Sequence, residues 1–194
     1  MQLITSDNLS VIVGLGQTGL SCARYLHANG ERFAVTDSRE KPPMLAEFRA
    51  EFADVPITLG GFDKELCLSA RRLVVNPGIS LKEPVLLAAQ DAGVHICGDI
   101  ELFARAAKAP IVGITGSNGK STVTTLLGEM AAKAGVKVAV GGNLGTPALD
   151  LLSDAVDARA QIITEELMRC GMTALHKHWR STLIPNISFD AVPA

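Results

Sequence analysis

The segment Pro110-Ile-Val-Gly-Ile-Thr-Gly-Ser-Asn-Gly-Lys-Ser-Thr122 joins an apolar run to a glycine-rich stretch and the start of a helical pattern. Ile111 to Ile114 predict a buried strand, and residues 116–119 predict a tight loop. From Lys120 onward apolar residues recur at helical spacing, and Gly135 marks the end of that pattern. A strand, a glycine-rich loop, a Lys-Ser pair and a helix in this order are typical of a phosphate-binding P-loop.

The residue types in this segment suit a triphosphate, which needs many hydrogen-bond donors at close range. Glycines let backbone N–H groups approach phosphate oxygens, and the helix N-terminus adds a partial positive charge. Lys120 would reach the β- and γ-phosphates, and the Ser121 hydroxyl would coordinate Mg²⁺. The common motif would place a glycine at Ile114, so this loop is a variant. The alternative interpretation is a surface turn that happens to contain Gly-Lys-Ser.

Composition limits the possible classes of protein. The 194 residues allow one large or two small domains, and 47% of them are hydrophobic, which is enough for a packed core. A net charge of −2 argues against a nucleic-acid-binding surface or an anionic-membrane surface. We expect no transmembrane helix, because no run of eighteen apolar residues occurs. The N-terminus lacks the basic start and long apolar core of a signal peptide, so we expect a cytoplasmic protein.

The cysteines and histidines predict neither a metal site nor a redox motif. The four cysteines are widely spaced and form no C-x-x-C pair. We therefore expect reduced, buried thiols. His176 and His178 flank Lys177, but no third candidate ligand lies near them in the sequence.

A second glycine-rich loop lies near the N-terminus, in Gly14-Leu-Gly-Gln-Thr-Gly19. A short β-rich run precedes it, and a predicted helix from about Leu20 to Ala28 follows. The next predicted strand, Phe33 to Thr36, ends at Asp37. This βαβ arrangement matches a dinucleotide-binding fingerprint, yet the loop alone indicates only a bound anion, most simply a diphosphate.

The residues after this strand leave two interpretations open. Asp37 could hold a ribose hydroxyl, or could only cap the following segment. Ser38 and Arg39 could contact a base or a sugar, or Arg39 could be an ordinary solvated loop residue.

Strands and helices alternate along the rest of the chain, which predicts parallel α/β sheets. Two further turns follow predicted strands, at Asn76-Pro-Gly78 and Gly141-Gly-Asn143. The carboxyl ends of parallel strands are where open α/β sheets bind ligands. Asn143 could face a ligand there, or could be a plain turn residue.

The predicted fold class is α/β, with a Rossmann-like parallel-sheet domain over residues 1–98. An incomplete P-loop ATP-binding α/β domain follows over residues 99–157, and residues 158–194 form a tail. Two nucleotide-type loops in one short chain are unusual. A dehydrogenase needs only the first loop and a simple NTPase only the second. A ligase that uses ATP to extend a nucleotide-carried substrate needs both.

Seven segments together resemble the Mur ligases of bacterial peptidoglycan synthesis. Within that family, the segments most resemble the branch that joins D-glutamate to UDP-N-acetylmuramoyl-L-alanine. It covers about Val11 to about Asp157. The segments are Gly14–Ser21, Asp37–Arg39, Asn76–Ile79, Gly98–Phe103, Thr115–Thr122, Ser121–Leu126 and Gly141–Gly145.

The resemblance implies a substrate site and an ATP site. The first domain would hold the UDP part of the substrate and not NAD. Residues Gly14, Leu15 and Thr18 would lie along the diphosphate, Ser38 and Arg39 near the uracil, and Gly78 and Asn143 elsewhere on the substrate. ATP would be bound by Gly116, Ser117, Asn118, Gly119, Lys120, Ser121 and Thr122.

The implied chemistry is acyl activation. The alanyl carboxylate would attack the γ-phosphate of ATP to give an acyl phosphate, and the amine of D-glutamate would then displace phosphate. Lys120 would be the catalytic residue on the transferring phosphoryl group, and Ser121 would be the Mg²⁺ ligand. We expect a monomer that binds neither nucleic acid nor membrane. The alternatives are a non-catalytic nucleotide-binding module and an NAD-dependent oxidoreductase.

The resemblance ends at about residue 157. In that family a strand with Glu-Leu-Ser-Ser-Phe-Gln-Leu-Glu would follow, then a Mg²⁺-binding histidine, a modified lysine and a C-terminal domain that brings D-glutamate. The tail does not match this pattern, although Glu165 and Glu166 lie roughly where an acid would be wanted. Within the tail, the spacing of Ile162, Ile163, Leu167 and Met168 predicts a modest helix. We therefore expect weak binding of the UDP substrate and little or no ligase activity from this chain alone.

Overall fold

A computed structural model of the protein describes residues 9–115, 118–142, 145–154, 160–164 and 183–185. The chain divides into two compact units. The first extends to Asp99, and the second begins at Ile100. Each unit is described here by itself.

The first unit contains a parallel sheet in which the strand order is β3-β2-β1-β4-β5. Because the order reverses on either side of β1, the carboxyl ends of β1 and β4 flank a topological switch point, where open α/β sheets bind ligands. This confirms the predicted Rossmann-like parallel sheet. The strands are β1 (Leu9–Val13), β2 (Arg32–Asp37), β3 (Ile57–Leu59), β4 (Arg72–Val75) and β5 (His95–Cys97).

Helices connect these strands, and local sequence signals explain most of their ends. Asp63 caps α3 by accepting a hydrogen bond of 3.0 Å from the backbone N–H of Leu66, and Pro84 opens α4, where its missing N–H costs nothing. The first helix begins at Gln17, three residues before the predicted start. The connecting helices are α1 (Gln17–Ala28), α2 (Leu45–Glu51), α3 (Lys64–Ser69) and α4 (Pro84–Asp91), whereas α5 (Asp99–Ala106) lies almost entirely in the second unit.

The core of the first unit is formed by the central strands, which are apolar because helices cover them. Val11, Val13 and Leu73 are each fully buried, and they pack with Cys67 of α3 and Leu86 of α4. Burying one such side chain contributes about 1.5–3 kcal/mol. These contacts hold β1 and β4 rigidly at the point where the two site-forming loops leave the sheet.

The second unit contains a parallel sheet of order β7-β8-β6-β9. Its strands are β6 (Ile111–Thr115), β7 (Val138–Gly142), β8 (Ala160–Thr164) and β9 (Leu183–Pro185). The strand β6 is followed by the 14-residue helix α6 (Lys120–Lys133). A 3₁₀ turn (Ala148–Asp150) and α7 (Leu151–Asp154) follow β7.

The prediction of a helix around Ile162 and Ile163 was wrong. Both residues lie in β8, which pairs with β6 on one side and β7 on the other. A short apolar run fits a buried strand and a helix equally well by periodicity, and only the neighbouring strands decide between them. Residues beyond 157 thus provide two of the four strands in this sheet.

Candidate functional site

The loop between β1 and α1 is fixed by backbone hydrogen bonds to the end of β2. Gly14 has a φ of 98°, a conformation that favours glycine. Its N–H donates to the carbonyl of Thr36 at 2.8 Å. The N–H of Leu15 donates to Oδ2 of Asp37 at 2.7 Å, across 22 residues of sequence. The loop therefore has a set shape before any ligand enters.

Asp37 is the anchor of this loop. Its side chain is buried, with 2% exposed, whereas the Arg39 side chain is 51% exposed. Oδ1 accepts from the N–H of Arg39 at 2.9 Å and from its Nε at 2.8 Å. Oδ2 accepts from the guanidinium at 2.6 Å as well as from Leu15. In this structure the carboxylate is thus used to hold the loop and to orient the exposed guanidinium.

These contacts also set the charge of Asp37. Burial raises the pKa of the carboxyl, but the hydrogen bonds from Arg39 and Leu15 and the charge of the guanidinium outweigh burial. The pKa of Asp37 is therefore held below its ordinary value of 3.8. The group is an anion at neutral pH.

The N-terminus of α1 carries backbone donors that face the end of the sheet. The first bond inside the helix runs from the N–H of Leu20 to the carbonyl of Gly16 at 3.0 Å, so the N–H groups of residues 16–19 precede it. Gly16 caps the helix without a side chain, and the first turn contains no acidic residue. Thr18 lies in this turn and is partly exposed. The arrangement suits a diphosphate.

The loop that follows β4, called the third loop below, contacts the loop between β1 and α1. The Asn76 side-chain amide donates to the carbonyl of Gly14, 62 residues earlier in the chain. A methyl group at Gly19 would lie 2.8 Å from that same amide nitrogen, and at Gly14 the same distance would result. The loop after β4 can therefore approach Gly14 and Gly19 this closely only because both positions lack a side chain. Gly78 is exposed two residues further on, and Ser38 is exposed at the end of β2.

The P-loop segment has the predicted strand and helix on its two sides. Gly119 adopts a left-handed conformation with a φ of 70°, and Lys120 is the first residue of α6. The N–H of Val123 donates to the carbonyl of Gly119 at 3.0 Å, and the Thr124 hydroxyl donates to the carbonyl of Lys120 at 2.8 Å. No acidic residue lies in the first turn. This helix N-terminus is thus electrostatically suited to an anion.

The side chains that would face a nucleotide here are partly described. Lys120 is partly exposed, and Ser121 and Thr122 are exposed, as is Asn118. The predicted ligand residues Gly116, Ser117 and Asn143 lie outside the described residues. So do Glu165 and Glu166, which directly follow β8.

The residues present are compatible with Mg²⁺ bound together with phosphates. Magnesium in such sites commonly takes one or two protein ligands and completes its shell with phosphate oxygens and water. Ser121, at the second position of α6, offers a hydroxyl of the right kind. Within the described ranges, no group of three His, Cys, Asp or Glu side chains could hold a metal ion by itself.

Comparison with known proteins shows what the first unit is similar to. Residues 8–98 match the family described as Mur ligase MurD-like, N-terminal domain. This part of the chain is similar to that domain. The match spans all five strands of the first sheet and both of its site-forming loops. The resemblance predicted from the sequence motifs is confirmed.

Two curated Mur ligases extend the likeness beyond this domain. The UDP-N-acetylmuramoylalanine–D-glutamate ligase of Pseudomonas aeruginosa is 59% identical over 157 residues, which are 81% of this chain and 35% of that protein. The ligase of the same description from Marinobacter nauticus is 58% identical over the same shares of the two chains. The chain thus spans about a third of the length of these relatives.

A solved structure shows the same fold at low identity. The UDP-N-acetylmuramate:L-alanyl-γ-D-glutamyl-meso-diaminopimelate ligase of Neisseria meningitides superposes with a TM-score of 0.54 and is 16% identical. The match covers 95% of this chain and 62% of that one. This supports the α/β class predicted from the alternating strands and helices. In the part of the chain that the structure describes, no helix is both long and apolar enough to span a bilayer.

The loops of the first unit were predicted from the sequence, but two of their contacts were not. The bond from Asn76 to Gly14 has no signature in either segment alone. The double use of Asp37, on Leu15 and on Arg39, was also not predicted. The one usable signal was the presence of small residues at both 14 and 19, which indicates a close approach by another part of the chain.

Proposed function

We propose that this chain carries the nucleotide-binding parts of an ATP-dependent ligase that adds D-glutamate to UDP-N-acetylmuramoyl-L-alanine in peptidoglycan synthesis. The observation that supports this most is the 59% identity over 157 residues to a ligase of that description. The geometry is consistent with it, because each unit presents a glycine-rich loop and a helix N-terminus at the carboxyl end of a parallel strand.

In this proposal the first unit holds the UDP moiety. The N–H groups at the start of α1 bind the diphosphate, with Gly14, Leu15 and Thr18 along it. Ser38 and Arg39, at the exposed end of β2, lie near the uracil. Gly78 contacts the nucleotide from the third loop, and Asn143 is a further substrate-binding residue.

The second unit binds ATP through residues 116–122. Lys120 neutralises charge on the β- and γ-phosphates, where it also serves as the catalytic residue during transfer of the phosphoryl group. Ser121 holds Mg²⁺, which screens the negative charge of the phosphates when bound. The alanyl carboxylate is activated as an acyl phosphate, and the amine of D-glutamate displaces phosphate to form the amide bond. From the same 59% identity we also infer that the protein is cytoplasmic and monomeric.

The N-terminal fingerprint also fits a nicotinamide dinucleotide, and Asp37 is the residue that separates the two interpretations. A dinucleotide-binding acid at the end of β2 accepts hydrogen bonds from a ribose. Here both oxygens of Asp37 already accept bonds from Leu15 and Arg39. To bind NAD in the usual way, the carboxylate would have to give up contacts that hold the loop. This favours the uridine nucleotide.

Calorimetric titration of the 194-residue chain with UDP-N-acetylmuramoyl-L-alanine, ATP and NAD tests the proposal. We expect binding of the first two and none of NAD. Replacing Lys120 by alanine should abolish ATP binding and leave binding of the UDP substrate unchanged. The matched control is Lys133→Ala, at the far end of the same helix, which should leave both affinities intact. Preferential binding of NAD would contradict the proposal.

A kinetic measurement tests whether the 194-residue polypeptide alone forms the amide bond. Release of ADP should not depend on D-glutamate, because the chain spans about a third of its relatives. If binding of UDP substrate and ATP is intact but amide formation is absent, the chain acts as a nucleotide-binding module. Robust D-glutamate-dependent release of ADP would refute the expectation of an inactive chain.

A further inference from the structure

We infer that Asn76 is a positioning residue for the diphosphate of the uridine nucleotide, an inference that rests on the proposed function. Asn76 follows β4 directly, on the opposite side of β1 from Asp37. Its side chain does not need to touch the ligand to act. Its effect passes through the loop between β1 and α1, whose donors would bind the phosphates.

Two side chains grip this loop from opposite sides of β1. Asp37 holds the N–H of Leu15 from β2. The Asn76 amide holds the carbonyl of the preceding residue, Gly14, from β4. With the carbonyl and the following N–H both engaged, the peptide group between the two residues cannot rotate. The direction in which the next N–H groups point is thereby fixed.

The main chain also holds Asn76 itself in place. Its N–H donates to the carbonyl of Val13 at 3.0 Å, and its carbonyl accepts from the N–H of Ile79 at 3.0 Å. The amide is therefore carried on a rigid turn, and its distance from the first loop is set by the sheet. A donor placed this way is preorganised, so little free energy is lost on ligand binding.

Two glycines leave the space that the Asn76 side-chain amide occupies. At Gly14 a methyl group would lie 2.7 Å from Cδ1 of Ile79 and 2.8 Å from Nδ2 of Asn76. At Gly19 it would also lie 2.8 Å from Nδ2. Real Cβ atoms essentially never approach other atoms to less than 3.0 Å. The two glycines thus leave room for this amide, which links the third loop to the start of α1.

The test compares UDP with uridine, because only UDP carries the diphosphate. Dissociation constants of both ligands are measured by ligand-observed NMR on the 194-residue chain and on Asn76→Asp, which keeps the side-chain shape but loses the donor. We expect the affinity for UDP to fall about tenfold while the affinity for uridine stays within twofold. A change limited to stability would alter both ligands alike.

Asn29→Asp is the matched control. Asn29 also donates its side-chain amide to a backbone carbonyl, that of Tyr25 at 2.8 Å, but at the exposed end of α1. Its variant should bind both ligands as the unchanged chain does. Asn76→Ala, which adds no charge, separates loss of the donor from repulsion between a new carboxylate and the phosphates. It should give the same selective loss.

The outcomes distinguish this inference from the proposed function. If the unchanged chain binds UDP and both Asn76 variants keep its full advantage over uridine, the inference is wrong and the proposed function stands. If the unchanged chain binds neither ligand, the proposed function is wrong and the inference falls with it. Should Asn76→Asp fail to fold by circular dichroism, Asn76→Ala decides alone. Should both fail to fold, Asn76 is a folding residue and the inference is overturned.

Discussion

Replacing Gly19 by alanine is the sharpest test of the interlocked loops in the first unit. A methyl group there would lie 2.8 Å from Nδ2 of Asn76 and closer still to the carbonyl oxygen of Gly14. The Gly14 oxygen belongs to the backbone, and it cannot swing away as a flexible side chain could. The loop or the first turn of α1 must therefore move.

The expected cost follows from three contributions. Forcing a methyl group into packed space costs about 1–3 kcal/mol. Losing the hydrogen bond from Asn76 to Gly14 costs a further ~0.5–1.5 kcal/mol. Alanine offsets up to about 1 kcal/mol, because it favours the helix more than glycine does. Together, these contributions predict that Gly19→Ala lowers the free energy of unfolding by about 0.5–4.5 kcal/mol, with a midpoint of ~2.5 kcal/mol.

Urea denaturation followed by far-UV circular dichroism measures this change. The matched control is Gly78→Ala, in the third loop, where a methyl group would have no atom within 4 Å and the backbone has no positive φ. That variant should change the free energy of unfolding by less than about 0.5 kcal/mol. If Gly19→Ala were as stable as Gly78→Ala, the close approach of Asn76 to Gly14 and Gly19 would be refuted.

Two further predictions concern titratable groups. Because the folded-state pKa of Asp37 is lowered, its ionised form stabilises the fold above its ordinary value of 3.8, and this contribution is lost as pH falls through the folded-state pKa. The stability difference between the unchanged chain and Asp37→Asn should thus be largest near pH 7 and shrink below about pH 4; an equal difference at both would contradict this. Burial and the neighbouring Asp63 charge raise the pKa of the Cys67 thiol to about 11. Iodoacetamide at pH 8 should leave Cys67 unmodified in folded protein and modify it in urea, as peptide mass spectrometry would show; equal labelling in both conditions would show that the thiol is accessible.

Much of the fold could be predicted because its signals are local. The β-rich run before Gly14, the apolar run before the P-loop and the helical spacing after Lys120 each lie within a few residues, and the structure confirms all three elements.

The element that failed shows the limit of local signals. Ile162 and Ile163 were placed in a helix because an apolar pair followed by another apolar pair fits that period. The backbone of β8 instead pairs with β6 and β7, strands that begin 49 and 22 residues earlier at Ile111 and Val138, since β8 begins at Ala160. A sequence window of a few residues around β8 contains neither partner strand, so apolar periodicity within it could not reveal the pairing.

Except for β8, the sequence by itself determined which of the segments discussed above are strands or helices, and where the two glycine-rich loops lie, since backbone preferences and apolar periodicity act over a few neighbouring residues. Tertiary structure alone decided what the polar side chains of the first site do. Asp37 could have accepted hydrogen bonds from a ribose, yet it accepts them from Leu15 and Arg39. Asn76 meets Gly14 only because β1 and β4 are paired. The Asp37–Leu15 and Asn76–Gly14 contacts join residues that are 22 and 62 positions apart in the chain. These residues meet because the order of strands in the sheet places them side by side.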